Sequence, residues 1–289
     1  MISGFTFVKN AVKLDFPVVG SIRSLLPVCD EVVVVVGRSD DDTLGLIRSI
    51  DDPRIRIIET EWDLSRGRAV LADQTDIALR ACRHPWGIYI QADEVLADGS
   101  AELLAQAIQA ADRDPRVEGI LVQYLHFYGG FDNLATHRRM YRREVRAVRT
   151  DPSLDIHSFR DAQGFRVGPE DRRIRARMSD AQMLHYGWAR SAEAVQAKNE
   201  AHAEIFEWSA ATREQRMGKN PYHWVPLMRR FPGPHPAVVR EWVAARTDEA
   251  RATFGSRRLT RSHVNYLLSA AVESLTGWRP FEFRNYERV

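Results

Sequence analysis

Residues 32–36 are five consecutive valines, introduced by Glu31. β-Branched side chains are stiff at χ1 and suit a pleated surface better than a helix. An apolar run with no polar alternation fits a strand covered on both faces, as in the middle of a parallel sheet. The run therefore predicts an α/β fold with helices above and below the sheet. Its neighbours agree. Residues 2–8 read as a short apolar strand, after which Val18, Ile22 and Leu25 recur at helical spacing, with Asp15 as a cap and Pro17 in the first turn. Residues 37–43 form a loop, and Asp42 or Thr43 starts the next helix. Residues 55–58 are a third strand. Val70, Ile77, Ala78 and Ala81 mark a helix, residues 86–90 are a fourth strand, and Ser100 caps the helix beyond it. Residues 117–127 and 140–148 are two further strand candidates separated by Gly129-Gly130 and by no helix, so the sheet is expected to turn mixed or antiparallel there. From Ser191 the chain reads mostly helical, broken at Pro226, Pro232, Pro234 and Pro236.

Bulk properties narrow the classes. A chain of 289 residues with 44% hydrophobic content can build one large domain with an extension. Its formal charge is only +2, yet Arg138, Arg139, Arg142, Arg143, Arg146 and Arg149 crowd one stretch, and Arg172, Arg173, Arg175 and Arg177 another. Such runs are solvated faces or phosphate contacts, because guanidinium forks match phosphate oxygens. No nucleic-acid-binding motif accompanies them. Cys29 and Cys82 are too few for a disulfide framework or a thiolate metal site. The chain opens on an apolar strand with no signal-peptide pattern, and no stretch has the length of a transmembrane helix. The expectation is a cytoplasmic protein, with peripheral membrane contact left open.

The fourth strand ends in Gln91-Ala92-Asp93-Glu94. Ligands of open α/β sheets sit outside the carboxyl ends of the strands, and two adjacent acids there can hold a divalent cation through hard oxygen ligands. A cation so held can bind a diphosphate. The plain alternative is a loop whose acids cap the next helix. Tyr124, His126, Phe127 and Tyr128 form an aromatic cluster that is either core or a face for stacking a sugar.

Around this motif the sequence resembles the family 2 glycosyltransferases of the GT-A fold, and most of all their bacterial branch related to lipopolysaccharide-core glycosyltransferases, whose strand ends in Asp-Ala-Asp-Glu. Phe7-Val8-Lys9-Asn10-Ala11 resembles the first strand and its Asn-Glu loop, and Cys29-Asp30-Glu31-Val32 the entry to the second strand. Ser39-Asp40-Asp41-Asp42-Thr43 resembles the Ser-Thr-Asp-Asp-Thr that follows, and Gln74-Thr75-Asp76 sits where relatives carry Gln-Arg-Asn. The resemblance runs from residue 1 to about residue 200. Two departures stand out: Gln91 replaces the first acid of the Asp-X-Asp motif, and Val36-Gly37 replaces an acid that helps hold the nucleotide.

The resemblance implies a GT-A-like, mostly parallel central sheet. Residues 1–115 would be its nucleotide-sugar half, residues 116–200 its acceptor half, and residues 201–289 a helical extension. It implies inverting transfer of a sugar from a UDP-, GDP- or dTDP-linked donor to an acceptor hydroxyl on a glycan, a lipid-linked glycan or a small molecule, with Mn²⁺ or Mg²⁺. Asp93 and His185 are the implied metal ligands. Phe5, Thr6, Lys9, Arg38, Gln74, Gln91, Ala92, Asp93 and Lys198 are the implied contacts to the nucleotide and diphosphate. His185, within Leu184–Trp188, is otherwise a core histidine, and Lys198 otherwise an exposed helical lysine. Asp161 is the implied general base, ahead of His157 and then of Glu170 and Asp171, which sit in the arginine-rich segment. Two other readings stay open. Gln91 and Val36 suit an inactive nucleotide or nucleotide-sugar binder. A nucleotidyltransferase can share the sheet order, but would carry a glycine-rich loop where Val8-Lys9-Asn10-Ala11 stands.

Overall fold

The computed structural model describes residues 1–206, 208–209, 212, 222–252, 254 and 257–289. The amino-terminal half alternates strand and helix as expected: β1 (Ser3–Val8), α1 (Val18–Leu25), β2 (Glu31–Gly37), α2 (Thr43–Arg48), β3 (Ile55–Thr60), α3 (Ala69–Arg80) and β4 (Trp86–Tyr89). A short β5 (Glu94–Leu96) and α4 (Ser100–Asp112) follow. Strands β1, β2, β3 and β4 pair in parallel in the order β3-β2-β1-β4. Every residue of β2 is buried. Val32, Val34 and Val36 enter one apolar cluster, and Val33 and Val35 enter the other, so the valine run is covered on both faces.

The sheet then turns mixed. It continues through β8 (Arg143–Arg149), β6 (Gly119–Tyr128), β11 (Arg172–Trp188), β10 (Gly164–Val167) and β9 (Ile156–Phe159). β8 is antiparallel to both β4 and β6, whereas β6 and β11 are parallel. A short β7 (Asn133–Ala135) pairs with β6 and with β12 (Met228–Arg230). A parallel half is thus followed by mixed strands. After α5 (Ala192–Ile205), the described carboxy-terminal residues hold α6 (Arg240–Ala244), α7 (Arg261–Thr276) and β13 (Tyr286–Arg288), which pairs with β11. No described helix is long and apolar enough to cross a membrane.

Several local expectations change. Asp15 does not cap α1; Pro17 is the N-cap residue, and Asp15, at φ 49, instead pairs with Arg246. Asp42 does cap α2, accepting from the Gly45 N–H. Ser100 is the first residue of α4 and not its cap; its hydroxyl accepts from the Gln182 N–H, and Gly99, at φ 77, makes the turn. Among the described carboxy-terminal residues, α6 and α7 alternate with β12, β13 and proline-bounded loops. The arginine runs are largely paired within the protein. Arg172 and Arg175 both grip Glu118, Arg177 pairs with Asp114, and Arg142 with Glu273 and Glu282.

Candidate active site

β4 runs to Tyr89 in the middle of the sheet, so the 91–94 motif emerges where a ligand would sit. A cavity of about 490 Å³ opens there, within the usual range for a small-molecule site. Lys9, Gln91, Ala92, Asp93, Asp161, His185 and Lys198 all line it. Phe5, Thr6, Arg38 and Gln74 do not. Phe5 is buried against Tyr89 and Phe165, and Thr6 is buried within β1. Gln74 is buried, accepting from the Thr60 hydroxyl, and Arg38 is an exposed partner of Glu61. His157 pairs with Asp171 on the far side of the β9–β10 hairpin, and neither they nor Glu170 line the cavity. A second cleft of about 640 Å³ lies at the amino-terminal end of β4, between residues 79–85 and 149–156, and holds none of the expected site residues.

The two adjacent acids have different roles. Glu94, expected beside Asp93 at a cation, is fully buried against Arg146, whose Nε and Nη2 donate to its two oxygens at 3.1 and 2.8 Å. It also accepts from the Tyr124 hydroxyl and the Gln91 N–H. All its acceptor capacity is spent inside the protein. Removing one partner of such a buried pair costs about 3–5 kcal/mol, because the other charge is left uncompensated. Arg146 also donates to the Gln163 carbonyl, and the Gln91 side-chain amide donates to the Ala162 carbonyl at 3.1 Å. Residues 160–163 form the turn between β9 and β10, with Arg160 and Ala162 both at positive φ. The carboxamide at position 91 thus fastens the turn that carries Asp161, a bond that an aspartate could not donate.

Asp93 faces the cavity. Its Oδ2 accepts from Lys198 Nζ at 2.9 Å, and the Arg190 guanidinium lies at 3.9 Å. Burial alone would raise this carboxyl; the Lys198 ammonium leads the charges that overcome burial and hold it well below the usual carboxylate range. Burial in turn depresses Lys198. Lys198 sits between the rings of Phe16 and Trp188, and Arg190 is pinned by the Leu14 and Gly187 carbonyls.

His185 Nε2 stands 3.7 Å from Asp93 Oδ2. Its protonation follows from a chain of contacts. Burial pushes His126 down to about 3 and His185 to about 4, so both rings are neutral. His126 Nε2 lies 2.7 Å from the Tyr141 carbonyl, which can only accept, so the His126 proton is on Nε2. His126 Nδ1 is then an acceptor, and His185 Nδ1, 3.0 Å away, donates to it. His185 Nε2 is left with a free lone pair turned toward Asp93. Gly187 keeps the space between them open, because a Cβ there would stand 2.5 Å from His185 Nε2 and 2.9 Å from Asp93 Oδ2.

The amino-acid sequence matches the family described as Glycosyl transferase family 2 over residues 18–171. The chain belongs to this family. It is 33% identical over 132 residues to the lipopolysaccharide core biosynthesis glycosyltransferase LpsC of Rhizobium meliloti (strain 1021), covering 45% of this chain and 47% of that protein. The chain thus spans about half the length of the curated relative it matches. Among solved structures it is similar to S. aureus TarS 1-349, at 14% identity, a TM-score of 0.42, and coverage of 75% of this chain and 69% of that one. It is also similar to glucosyl-3-phosphoglycerate synthase from Mycobacterium tuberculosis, at 16% identity, a TM-score of 0.29, and coverage of 44% and 43%.

For a family 2 chain the donor set matters. A carboxylate oxygen and an imidazole lone pair facing each other across a gap kept clear by a glycine fit one divalent cation. Among the described residues no third histidine, cysteine or acid joins them. The other positions of such a cation would fall to ligands from outside the chain. Other cavity residues escaped the sequence reading. Trp62 lines the cavity beside Phe7 and Lys9, and its indole lies directly over Gly37, where any side chain would collide with it. An aromatic wall thus stands beside the end of β2. Tyr141, which also lines the cavity, and Arg190, buried behind Asp93, stand in no motif.

Proposed function

We propose that this protein transfers a sugar from a nucleotide-activated donor to an acceptor hydroxyl by one inverting displacement, assisted by Mn²⁺ or Mg²⁺. The observation that carries this reading is the convergence of Asp93, His185, Lys198 and Asp161 on one cavity at the carboxyl end of β4 in a family 2 chain. Asp93 Oδ2 and His185 Nε2 would hold the cation, which when bound would neutralise charge on the departing diphosphate. Lys198 and Arg190 supply fixed positive charge next to it, and Lys198 exchanges its Asp93 contact for a phosphate oxygen. Trp62 offers its face to the nucleobase. Asp161 accepts the proton of the attacking hydroxyl. Gln91 and Arg146 hold the Asp161 turn against the motif, so base and leaving group are set in one frame.

Melting temperatures with UDP-, GDP- and dTDP-sugars, with and without Mn²⁺, test the reading, since a ligand bound only by the folded state raises its stability. We expect one donor class to raise the melting temperature in the presence of Mn²⁺, and the rise to vanish in Asp93→Asn. Silence from all three classes would contradict it. Binding with no donor turnover under any condition would favour a nucleotide-sugar binder instead.

A further inference from the structure

Helix α7 is turned inside out. A surface helix normally packs its apolar stripe on the core and shows a polar face to water. In α7 the inward residues are Tyr266, Ser269 and the half-buried Glu273, which pairs with Arg142 and Arg279. Val264, Leu268, Ala271 and Leu275 follow at spacings of four, three and four residues, which places them on one face, and all are exposed, Leu268 at 60% and Leu275 at 85%. The segment after the helix adds Trp278 at 60% and Phe281 at 85%. Exposed apolar side chains in this density are not scatter; they mark a surface meant to be covered.

The charge around the patch identifies what covers it. Arg257, Arg258 and Arg261 are exposed at the amino-terminal end of α7, and the Arg138 guanidinium lies over the Phe281 ring, 5.1 Å from its centroid. Glu273 within the helix and Glu282 just after it are already paired with arginines. A leucine stripe with tryptophan and phenylalanine beside it, bordered by unneutralised arginine, has the chemistry of a helix lying in the headgroup region of an anionic bilayer. The patch is also tied to the cavity. Arg279 donates to the Met140 and Thr136 carbonyls, His137 stacks on Tyr266 at 4.6 Å, and Tyr141, in the same loop, lines the cavity.

We infer that α7 and the segment after it dock this protein on an anionic lipid surface, so that the cavity works beside the membrane. The inference stands on the surface itself and adds to the proposed reaction only the place where it occurs. It is tested by co-sedimenting the full chain with phosphatidylcholine vesicles with and without phosphatidylglycerol. Two triple variants are compared, Leu268→Ser/Leu275→Ser/Trp278→Ser and Arg257→Glu/Arg258→Glu/Arg261→Glu, with melting temperature and nucleotide binding as controls for the fold and the cavity.

The wild type should sediment with phosphatidylglycerol vesicles and release at high salt. An arginine near an anionic surface is worth about fivefold in partitioning, so reversing three of them should lose at least about a hundredfold. The apolar variant should lose binding as well, with nucleotide binding unchanged in both. A wild type that stays in the supernatant with both vesicle types would overturn the inference. So would a dimer by light scattering that the apolar variant dissolves while vesicles are ignored, which would make the patch a contact between two copies. Neither result bears on donor binding, which is measured separately.

Discussion

At the scale of single residues, the account rests on a carboxylate and an imidazole kept apart by a missing side chain. Gly187 adopts no left-handed backbone, so alanine is tolerated conformationally and acts only by filling the gap between His185 and Asp93. We expect Gly187→Ala to fold normally and to weaken Mn²⁺-dependent nucleotide binding by roughly tenfold or more, the scale on which support of a metal ligand matters. Calorimetry would show it, and wild-type affinity would remove the cation from this gap. Asp161→Asn should lower turnover by about 10²–10⁴-fold with donor affinity unchanged, since a base acts on the acceptor; loss of donor affinity would move Asp161 to the nucleotide. Asp93 was legible in the sequence because a strand end announces it. The fate of Glu94 was not, because its partner Arg146 is 52 residues away and nothing in the motif distinguishes an acid that faces the cavity from one that faces a buried guanidinium.

At the scale of elements, the parallel half was readable because each strand is a short apolar run closed by turn residues, and each helix shows its period. In the sequence the long β11 reads as an arginine-rich segment. Its signal was present: Arg173, Arg175 and Arg177 alternate with Ile174, Ala176 and Met178, and Ile174 and Ala176 are fully buried. That is the period of a strand with one covered face. The arginines masked it because their partners, Glu118 and Asp114, lie just before β6. Nothing local in the sequence announces that the turn between β9 and β10 is fastened by Gln91, after β4, and by Arg146 of β8. Gln91→Asp replaces a donor to the Ala162 carbonyl with an acceptor, which should cost about 1–3 kcal/mol at that turn. We expect this variant to bind donor as the wild type does and to lose turnover, seen as a fall in kcat with little change in donor KM. Unchanged kcat would detach Gln91 from the positioning of Asp161.

Across the whole molecule, the near-balanced charge conceals buried groups that make stability depend on pH. Burial pushes the Glu144 carboxyl up to about 8, and its contact at 3.3 Å is the Asn285 amide. Its pKa is higher folded than unfolded, so the folded state holds the extra proton, and this group's contribution to stability is lost as pH rises from about 4.5 to about 8. Glu144→Gln keeps the amide contact and removes the titration. The variant should gain on the wild type by about 1.4 kcal/mol for each pH unit climbed within that window. Melting curves at pH 5 and about pH 8 would check it, and parallel curves would show that Glu144 ionises freely. The central claim is that one cavity at the carboxyl end of β4 activates a nucleotide-bound sugar. It is tested most directly by following nucleotide-sugar cleavage by NMR, with Mn²⁺ present, in the wild type and in Asp93→Asn. The account predicts that the wild type releases nucleoside diphosphate from one donor class, with the sugar appearing first as the anomer opposite to that of the donor, and that Asp93→Asn releases none. Intact donors in every wild-type sample, or equal cleavage by the Asp93→Asn protein, would contradict it.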